Sequence, residues 1–272
     1  MKNLFRTLLP HKWTALLVLL LMAGQAFCEM NLPQYTQALI DTGIQNRGIE
    51  HIRFEDGGMS YVRDHASVNP VERRMQKLFG IRPLGSILAP QYLYEPGLYS
   101  VNDGREIRQL PKLSTEDKPF IEAVNKVFNV AEGAALPQEA VFFEASYYAD
   151  GQVNNEGELI RLCHSALGSR LAIKLHPRNG VNRFEGEQIA IMDSNMPWEL
   201  YCLNHDVSDK ILISVTSNAA ISPQLFLEKP PRTVLVYRLF NGRDSLLIID
   251  EYKEYLRKLI NKCPRISVPA NG

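Results

Sequence analysis

The chain has 272 residues with thirty acidic and thirty basic side chains, so its formal net charge is zero. Because no overall positive charge exists to attract a phosphate polymer, the composition argues against a nucleic-acid-binding protein. The hydrophobic content of 45% and the charged content of 22% are those of a globular protein, and the length allows two modest α/β domains or one large one.

The N-terminal region carries an apolar run at residues 13–23, with basic residues before it and Gly24-Gln25-Ala26 after it. A basic start, a short apolar stretch and small residues are typical of a secretory signal, and the run is short for a membrane span. The same pattern also fits a buried strand of a parallel sheet. The sequence leaves both interpretations open, with an N-terminal anchor or signal as the alternative to a strand.

The rest of the first half predicts a helix from Pro33 to Gly43, then a strand over 49–54 that leads into the turn Glu55-Asp56-Gly57-Gly58. A helix is expected over 68–80, then loops with short strands. Ser114 to Asp117 precede an apolar pattern and predict a capped helix start. We place the domain boundary in the linker that follows, which gives an N-terminal domain of 1–135 and a C-terminal domain of 136–272.

The second half alternates short apolar strands with helical patterns, which is typical of a parallel α/β sheet. Its predicted strands are 140–143, 171–175, 188–192, 210–213 and 233–237, and its predicted helices are 156–167, 198–204 and 249–261. Each half therefore contains a strand–helix–strand unit, and the fold class is α/β with two Rossmann-like domains. The four cysteines show no C-x-x-C pair, which fits reduced thiols better than a zinc site or a disulfide framework.

Side chains suited to acid–base chemistry or phosphate binding follow three of the predicted strands. His176 and Pro177 end the strand 171–175, and Arg178 supplies a planar cation suited to phosphate. Ligands of open α/β sheets bind at such strand ends, although a His-Pro pair is also a common solvated turn. The second group is the hydroxyl-rich turn of Ser214, Thr216 and Ser217, which opens a helix and offers N–H groups to an anion.

The third group is the acidic turn of Glu55 and Asp56. The G-x-S-x-G, Walker A and G-x-G-x-x-G patterns are missing from the sequence, and His176 has no neighbour at a metal-ligand spacing. A transferase that uses a phosphate-linked donor is therefore favoured. One carboxylate would take the acceptor's proton, and the cationic and hydroxyl groups would stabilise the departing phosphate.

Taken in order, these motifs resemble the bacterial sialyltransferases and polysialyltransferases, which make capsule or lipooligosaccharide on a two-domain GT-B fold. The acidic pair followed by Gly57, the His176-Pro177 pair and the Thr216-Ser217 pair match the family's motif order. Pro197-Trp198-Glu199 is similar to the family's Pro-x-Glu segment. The resemblance runs from about Ile49 to Tyr237.

The resemblance implies an inverting transfer of sialic acid from CMP-sialic acid to a cell-surface glycan, without a metal or other cofactor. The acidic pair would activate the acceptor hydroxyl, with Asp150 as a second candidate base. His176 would contact or protonate the leaving phosphate. The remaining residues implied in nucleotide-sugar binding are Pro177, Arg178, Ser214, Thr216, Ser217 and, at the cytidine ribose, Glu199.

The family carries a sizeable half-domain before the acidic motif, whereas 54 residues precede Glu55 here. We therefore expect a truncated N-terminal domain, and a homodimer could complete the fold. The resemblance implies a position in the cytoplasm or at the cytoplasmic face of the bacterial inner membrane, with peripheral membrane contact. A non-catalytic remnant that binds a nucleotide or a partner, and a GT-B transferase that uses another nucleotide sugar, stay open as alternatives.

Overall fold

The computed structural model describes residues 52–62, 90–130, 135–192, 196–244 and 246–270. These residues form a mixed α/β protein with two parallel sheets. They fall into two compact units that divide between Pro111 and Lys112. The sequence placed the boundary near residue 135, and the interpretation of residues 1–135 as a Rossmann-like domain stays a prediction.

The described residues of the first unit form three short parallel strands, which lie side by side in the order β1-β2-β3. They are β1 (Arg53–Phe54), β2 (Gln91–Leu93) and β3 (Ile107–Gln109). Arg53 pairs with Gln91, and Gln91 pairs with Ile107, so the three strands end at one edge of the sheet. The acidic turn follows β1 at that edge.

The second unit alternates strands and helices along the chain. Its elements are α1 (Lys118–Phe128), β4 (Ala140–Phe143), α2 (Glu156–Leu167), β5 (Leu171–Lys174), β6 (Ala190–Ile191), α3 (Trp198–Asn204), β7 (Ile211–Ser214), α4 (Asn218–Phe226), β8 (Arg232–Leu235), α5 (Asp250–Lys262) and β9 (Ile266–Ser267). The strands form one six-stranded sheet in the order β6-β5-β4-β7-β8-β9, and every pair is parallel.

This strand order identifies where the chain reverses its direction across the sheet. From β4 the chain first moves outward through β5 to β6, and it then crosses to β7 on the other side of β4 and continues outward to β9. Counted within the unit, the order is 3-2-1-4-5-6, which is compatible with a Rossmann-like fold. In such sheets ligands bind outside the carboxyl ends of the strands at the reversal, which here lies between β4 and β7.

The core lies around β4, because all four residues of that strand are buried. A strand covered on both faces is apolar throughout, which explains why this segment does not alternate. Phe143 packs edge-on against Trp198 of α3, with ring centroids 4.8 Å apart. A second cluster joins Phe142 and Ile173 to Ile160 of α2. These contacts fix α2 and α3 against the sheet and so fix the loops at its carboxyl edge.

The structure confirms the predicted helices 156–167 and 198–204 and the strand 140–143. The segment 188–192 forms a strand only at Ala190–Ile191, and the two-residue strand β9 was not predicted. The apolar run 13–23, the helix from Pro33 and the helix 68–80 lie outside the described residues. Within the part of the chain that the structure describes, no helix combines the length and apolar character needed to cross a bilayer.

Candidate functional site

Three loops meet at the carboxyl edge of the sheet in the second unit, after β4, β5 and β7. Phe143 pairs with Lys174, and Phe142 pairs with Ile213, so the three strands end at nearly the same level. The parallel register therefore brings the His176 loop and the hydroxyl turn to opposite flanks of the loop after β4. We call residues 144–150 of that loop the central loop.

His176 is half-buried and begins a short 3-10 turn over Pro177–Asn179. The backbone N–H of Arg178 donates to Nδ1 of the imidazole at 3.2 Å. Because Nδ1 is an acceptor, the neutral imidazole carries its proton on Nε2. Burial, together with the nearby Arg178 charge, lowers the pKa of His176 below its usual value. The side chain is therefore neutral at pH 7 and can donate from Nε2 to an oxygen of a ligand.

Arg178 is exposed and reaches back to the central loop. Its Nη2 lies 2.6 Å from the Ser146 hydroxyl oxygen and 3.2 Å from Oδ2 of Asp150. An exposed ion pair of this kind contributes little to stability, and its main effect is to orient the guanidinium. Asp150, the second candidate base of the sequence, is therefore the counter-ion of Arg178.

Glu144, the first residue after β4, is a site residue that the sequence prediction missed. Its side chain is buried, and its Oε2 accepts the backbone N–H of His176 at 3.0 Å. Its Oε1 forms an ion pair with Arg183, which lies in the segment between β5 and β6. A single acidic residue after a strand gives no sequence signal that distinguishes it from an ordinary turn residue.

Glu156 lies beside this ion pair at the first position of α2. Its carboxylate is fully buried, and its Oε1 accepts the backbone N–H of Ala145 at 2.8 Å. Its Oε2 lies 3.9 Å from Nη2 of Arg183. Burial is the main reason why the pKa of Glu156 is raised to about 8, with the negative charge of Glu144 adding to the effect. At neutral pH, Glu156 is therefore mostly protonated, and Arg183 is the counter-ion of the Glu144 carboxylate.

The three residues of the hydroxyl turn differ in their burial and in their hydrogen-bond partners. Ser214 is buried, and its hydroxyl oxygen accepts the backbone N–H of Ser217 at 2.8 Å. Thr216 is also buried, and its hydroxyl donates to Oδ2 of Asp244 at 2.5 Å. Ser217 is half-buried and occupies the N-cap of α4, where its side chain makes no capping hydrogen bond. Of the three hydroxyls, that of Ser217 is therefore best placed to meet a ligand.

Tyr147 and Asp244 join the central loop to the hydroxyl turn. The Tyr147 phenol donates to Oδ2 of Asp244, and its ring stacks on Phe240 with centroids 4.7 Å apart. Oδ1 of the same carboxylate accepts two backbone N–H groups, from Leu246 and Leu247. The sequence pattern could not predict this contact, because Tyr147 lies 97 residues from Asp244.

Glu199 lies in the first turn of α3, just after Pro197, as its position in the sequence suggested. It is half-buried, and burial raises the pKa of its carboxyl group, while the charge of Lys174 partly opposes that shift. Lys174 is the last residue of β5, so Glu199 lies on the side of the sheet edge where His176 follows.

In the first unit, the acidic pair divides into a buried and an exposed carboxylate. Oε2 of Glu55 accepts the Tyr61 hydroxyl and, at 2.9 Å, the backbone N–H of Tyr94 at the end of β2. Burial is the main cause that raises the pKa of Glu55 to about 7. Asp56 is exposed, and its backbone N–H donates to the Ser60 hydroxyl at 2.7 Å. Asp56 is therefore the member of the pair that a ligand can reach.

No protein-family model matches this sequence, and no curated protein matches it. Among the described residues, no group of three or more His, Cys, Asp or Glu side chains is arranged to hold a metal ion. The candidate site is thus defined by its residues, their geometry and the sheet that positions them.

Proposed function

We propose that this protein is a GT-B glycosyltransferase that moves sialic acid from CMP-sialic acid to a cell-surface glycan, with inversion at the anomeric carbon. The observation that carries the proposal is the placement of His176 and Ser217 at the carboxyl edge of a 3-2-1-4-5-6 sheet, on either side of the central loop. The crevice beside β4 is where nucleotides bind in sheets of this order.

The second unit would bind the donor. The neutral imidazole of His176 donates from Nε2 to a phosphate oxygen of CMP, and the positive end of the α4 dipole, with the Ser217 hydroxyl, faces the same anion. Arg178 adds positive charge at the loop after β5. The motif resemblance implies that Glu199 would hydrogen-bond the cytidine ribose.

The transfer itself needs one base and one leaving group. The acceptor hydroxyl oxygen would attack the anomeric carbon of sialic acid, and the motif resemblance implies the Asp56 carboxylate as the base that takes its proton. The bond between the anomeric carbon and the phosphate oxygen breaks, and its electron pair stays on CMP. Hydrogen bonds from His176 and Ser217 stabilise the charge that develops on that phosphate. Glu55, which is buried, holds the turn that presents Asp56.

A second candidate is a non-catalytic protein that binds a nucleotide. Two observations favour it. Arg178 is already paired with the Asp150 carboxylate, and the Thr216 hydroxyl already donates to Asp244, so neither group is left to stabilise a leaving phosphate. In this case the motifs would retain a nucleotide site without supporting transfer. In either case we propose a location in the cytoplasm or at the cytoplasmic face of the inner membrane, where the donor would be found.

The test measures CMP binding by calorimetry and CMP release in a transfer assay with a panel of glycan acceptors. CMP-sialic acid is compared with UDP- and GDP-sugars as donor. We expect CMP to bind and CMP-sialic acid to be the donor that turns over. His176→Ala should weaken CMP binding about tenfold, the effect of one hydrogen bond to a charged group.

The matched control is His164→Ala, because His164 lies in the last turn of α2, away from the carboxyl edge. It should leave CMP binding unchanged, whereas Asp56→Asn should keep CMP binding and lose transfer. Binding of CMP without turnover of any donor would favour the non-catalytic candidate. Turnover of a UDP- or GDP-sugar would replace the donor, and a chain that binds no nucleotide would overturn the proposal.

A further inference from the structure

We propose that Glu144, with Arg183 as its counter-ion, is a positioning residue that holds the His176 imidazole so that Nε2 faces the donor phosphate. This inference rests on the proposed function for the identity of the ligand. Glu144 belongs to none of the sequence motifs, and its role follows from the contacts at the carboxyl edge of the sheet.

The first step is that Glu144 connects the end of β4 to two points of the chain after β5. Its backbone N–H continues the sheet by donating to the Lys174 carbonyl at 3.1 Å. Its side chain contacts the chain after β5, where Oε2 accepts the backbone N–H of His176 and Oε1 accepts the Nε–H of Arg183 at 3.1 Å. Both carboxylate oxygens are therefore engaged, and only 2% of the residue is exposed.

The second step is that the protein engages every polar atom of His176 except one. Its backbone N–H donates to Glu144, its carbonyl accepts the Asn179 N–H at 2.9 Å, and its Nδ1 accepts the Arg178 N–H at 3.2 Å. Within the described residues, Nε2 makes no hydrogen bond. The imidazole is thus held in one tautomer, with its proton-bearing nitrogen left for a ligand.

The third step is that contacts other than Glu144 also hold the Arg183 side chain, so the counter-ion of Glu144 has a defined position. The guanidinium lies over two aromatic rings, 4.9 Å from the Tyr148 centroid and 5.3 Å from the Phe184 centroid. Glu156, the other carboxyl group that faces Arg183, is mostly protonated at neutral pH because burial raises its pKa. Without Arg183, the Glu144 carboxylate would be a buried charge without a cation, which is strongly unfavourable.

The test uses Glu144→Gln in the full chain and follows His176 by imidazole ¹⁵N NMR without nucleotide. The wild type should show the Nε2–H tautomer. The side-chain amide of the variant keeps one acceptor oxygen, whereas the wild-type carboxylate accepts from both the His176 backbone N–H and the Arg183 guanidinium. Because one of these two contacts is lost, the His176 turn should be held less firmly, and the variant should show a mixture of imidazole tautomers. The negative charge of Glu144 raises the pKa of His176, so its removal should lower that pKa further. General loosening of the loop would hydrate the imidazole and raise the pKa instead.

The second readout is CMP affinity in a double-mutant cycle. Glu144→Gln should weaken CMP binding about tenfold, and it should add little once His176→Ala is present, because it acts through the imidazole. A merely structural role would weaken binding by the same factor in both backgrounds, and that result would overturn the inference. The matched control is the exposed Glu158→Gln in the first turn of α2, which should change neither readout.

If Glu144→Gln does not fold, Arg183→Lys provides the same test, because a lysine cannot reproduce the fork of contacts that Arg183 makes. It should give the same tautomer mixture. A single Nε2–H tautomer in a folded Glu144→Gln or Arg183→Lys variant would disprove the positioning role. Failure of the wild type to bind CMP would instead defeat the proposed function, while the NMR result would still decide how His176 is held.

Discussion

The hydroxyl of Thr216 donates to the Asp244 carboxylate at 2.5 Å, and the phenol of Tyr147 donates to the same oxygen. One buried carboxylate therefore joins the loops that follow β4, β7 and β8. The hydrogen bond from Thr216 to Asp244 explains why this residue of the hydroxyl turn is buried. It also fixes the backbone that leads to Ser217 and the start of α4.

Replacement of Asp244 by alanine should destabilise the second unit by about 2–4 kcal/mol, because two buried hydroxyls and two backbone N–H groups lose their acceptor. Urea unfolding followed by tyrosine fluorescence measures this loss. Asp250→Ala is the control, since Asp250 forms an exposed ion pair with Lys253 and the substitution should change stability by less than about 0.5 kcal/mol. Equal unfolding midpoints for the two variants would contradict the role of Asp244.

Glu156→Gln should make the protein more stable than the wild type at pH 8 but not at pH 4. Burial raises the pKa of Glu156 to about 8 from 4.5, so the folded state keeps a proton that the unfolded state loses within that window. Stability therefore falls as the pH rises from 4.5 to 8, by at most about 1.4 kcal/mol per pH unit. The glutamine cannot ionise, and its oxygen can still accept the Ala145 N–H.

Urea unfolding of both proteins at several pH values from 4 to 9 checks this expectation. The difference between variant and wild type should grow up to about pH 8 and then stay constant. Glu55 also has a raised pKa, but it is present in both proteins and cancels in the difference. Curves that run parallel across the whole range would show that folding does not change the pKa of Glu156 and would contradict this prediction.

Tyr61→Phe should raise the pKa of Glu55 above 7, because the lost hydrogen bond stabilises the carboxylate. Carboxyl ¹³C NMR titration of Glu55 measures the shift directly. The lost bond should also cost about 1 kcal/mol of stability. Tyr92→Phe is the control in the same unit, since the Tyr92 hydroxyl contacts Arg108 instead. A titration midpoint that stays at or below 7 in Tyr61→Phe would refute this assignment.

Phe142→Ala should destabilise the protein by about 3–5 kcal/mol, because the ring is fully buried in the central strand and its removal leaves a cavity. Val153→Ala should change stability by less than about 0.5 kcal/mol, since that side chain is 96% exposed. Chemical unfolding of both variants measures the contrast. A small loss for Phe142→Ala would mean that β4 is not the centre of the core.

Local patterns were sufficient to predict the central elements of the second unit. The apolar run at 140–143 and the helical pattern at 156–167 are strong signals because both segments bury a continuous surface. The two-residue strand β9 was missed because a short edge strand is specified by its pairing with Thr233 and Val234 and has no pattern of its own.

The candidate site was predictable only where motif residues sit at strand ends. His176 lies at the carboxyl edge as its position after a predicted strand required. Neither Glu144 nor Asp244 could be found in this way, because each acts through partners that are far away in the sequence. Glu144 lies 32 residues from His176, and Asp244 lies 28 residues from Thr216. The sequence likewise could not tell that Thr216 is buried and Ser217 is not.

The central loop is tied to its neighbours on both flanks, and this restricts its permissible length. Glu144, Ser146 and Asp150 contact the chain after β5, while Tyr147, between them, reaches Asp244 on the opposite flank. An insertion or deletion of one residue between Glu144 and Asp150 would move one set of side chains out of register with its partners. This loop should therefore tolerate substitutions at Ala149 more readily than any change in residue count.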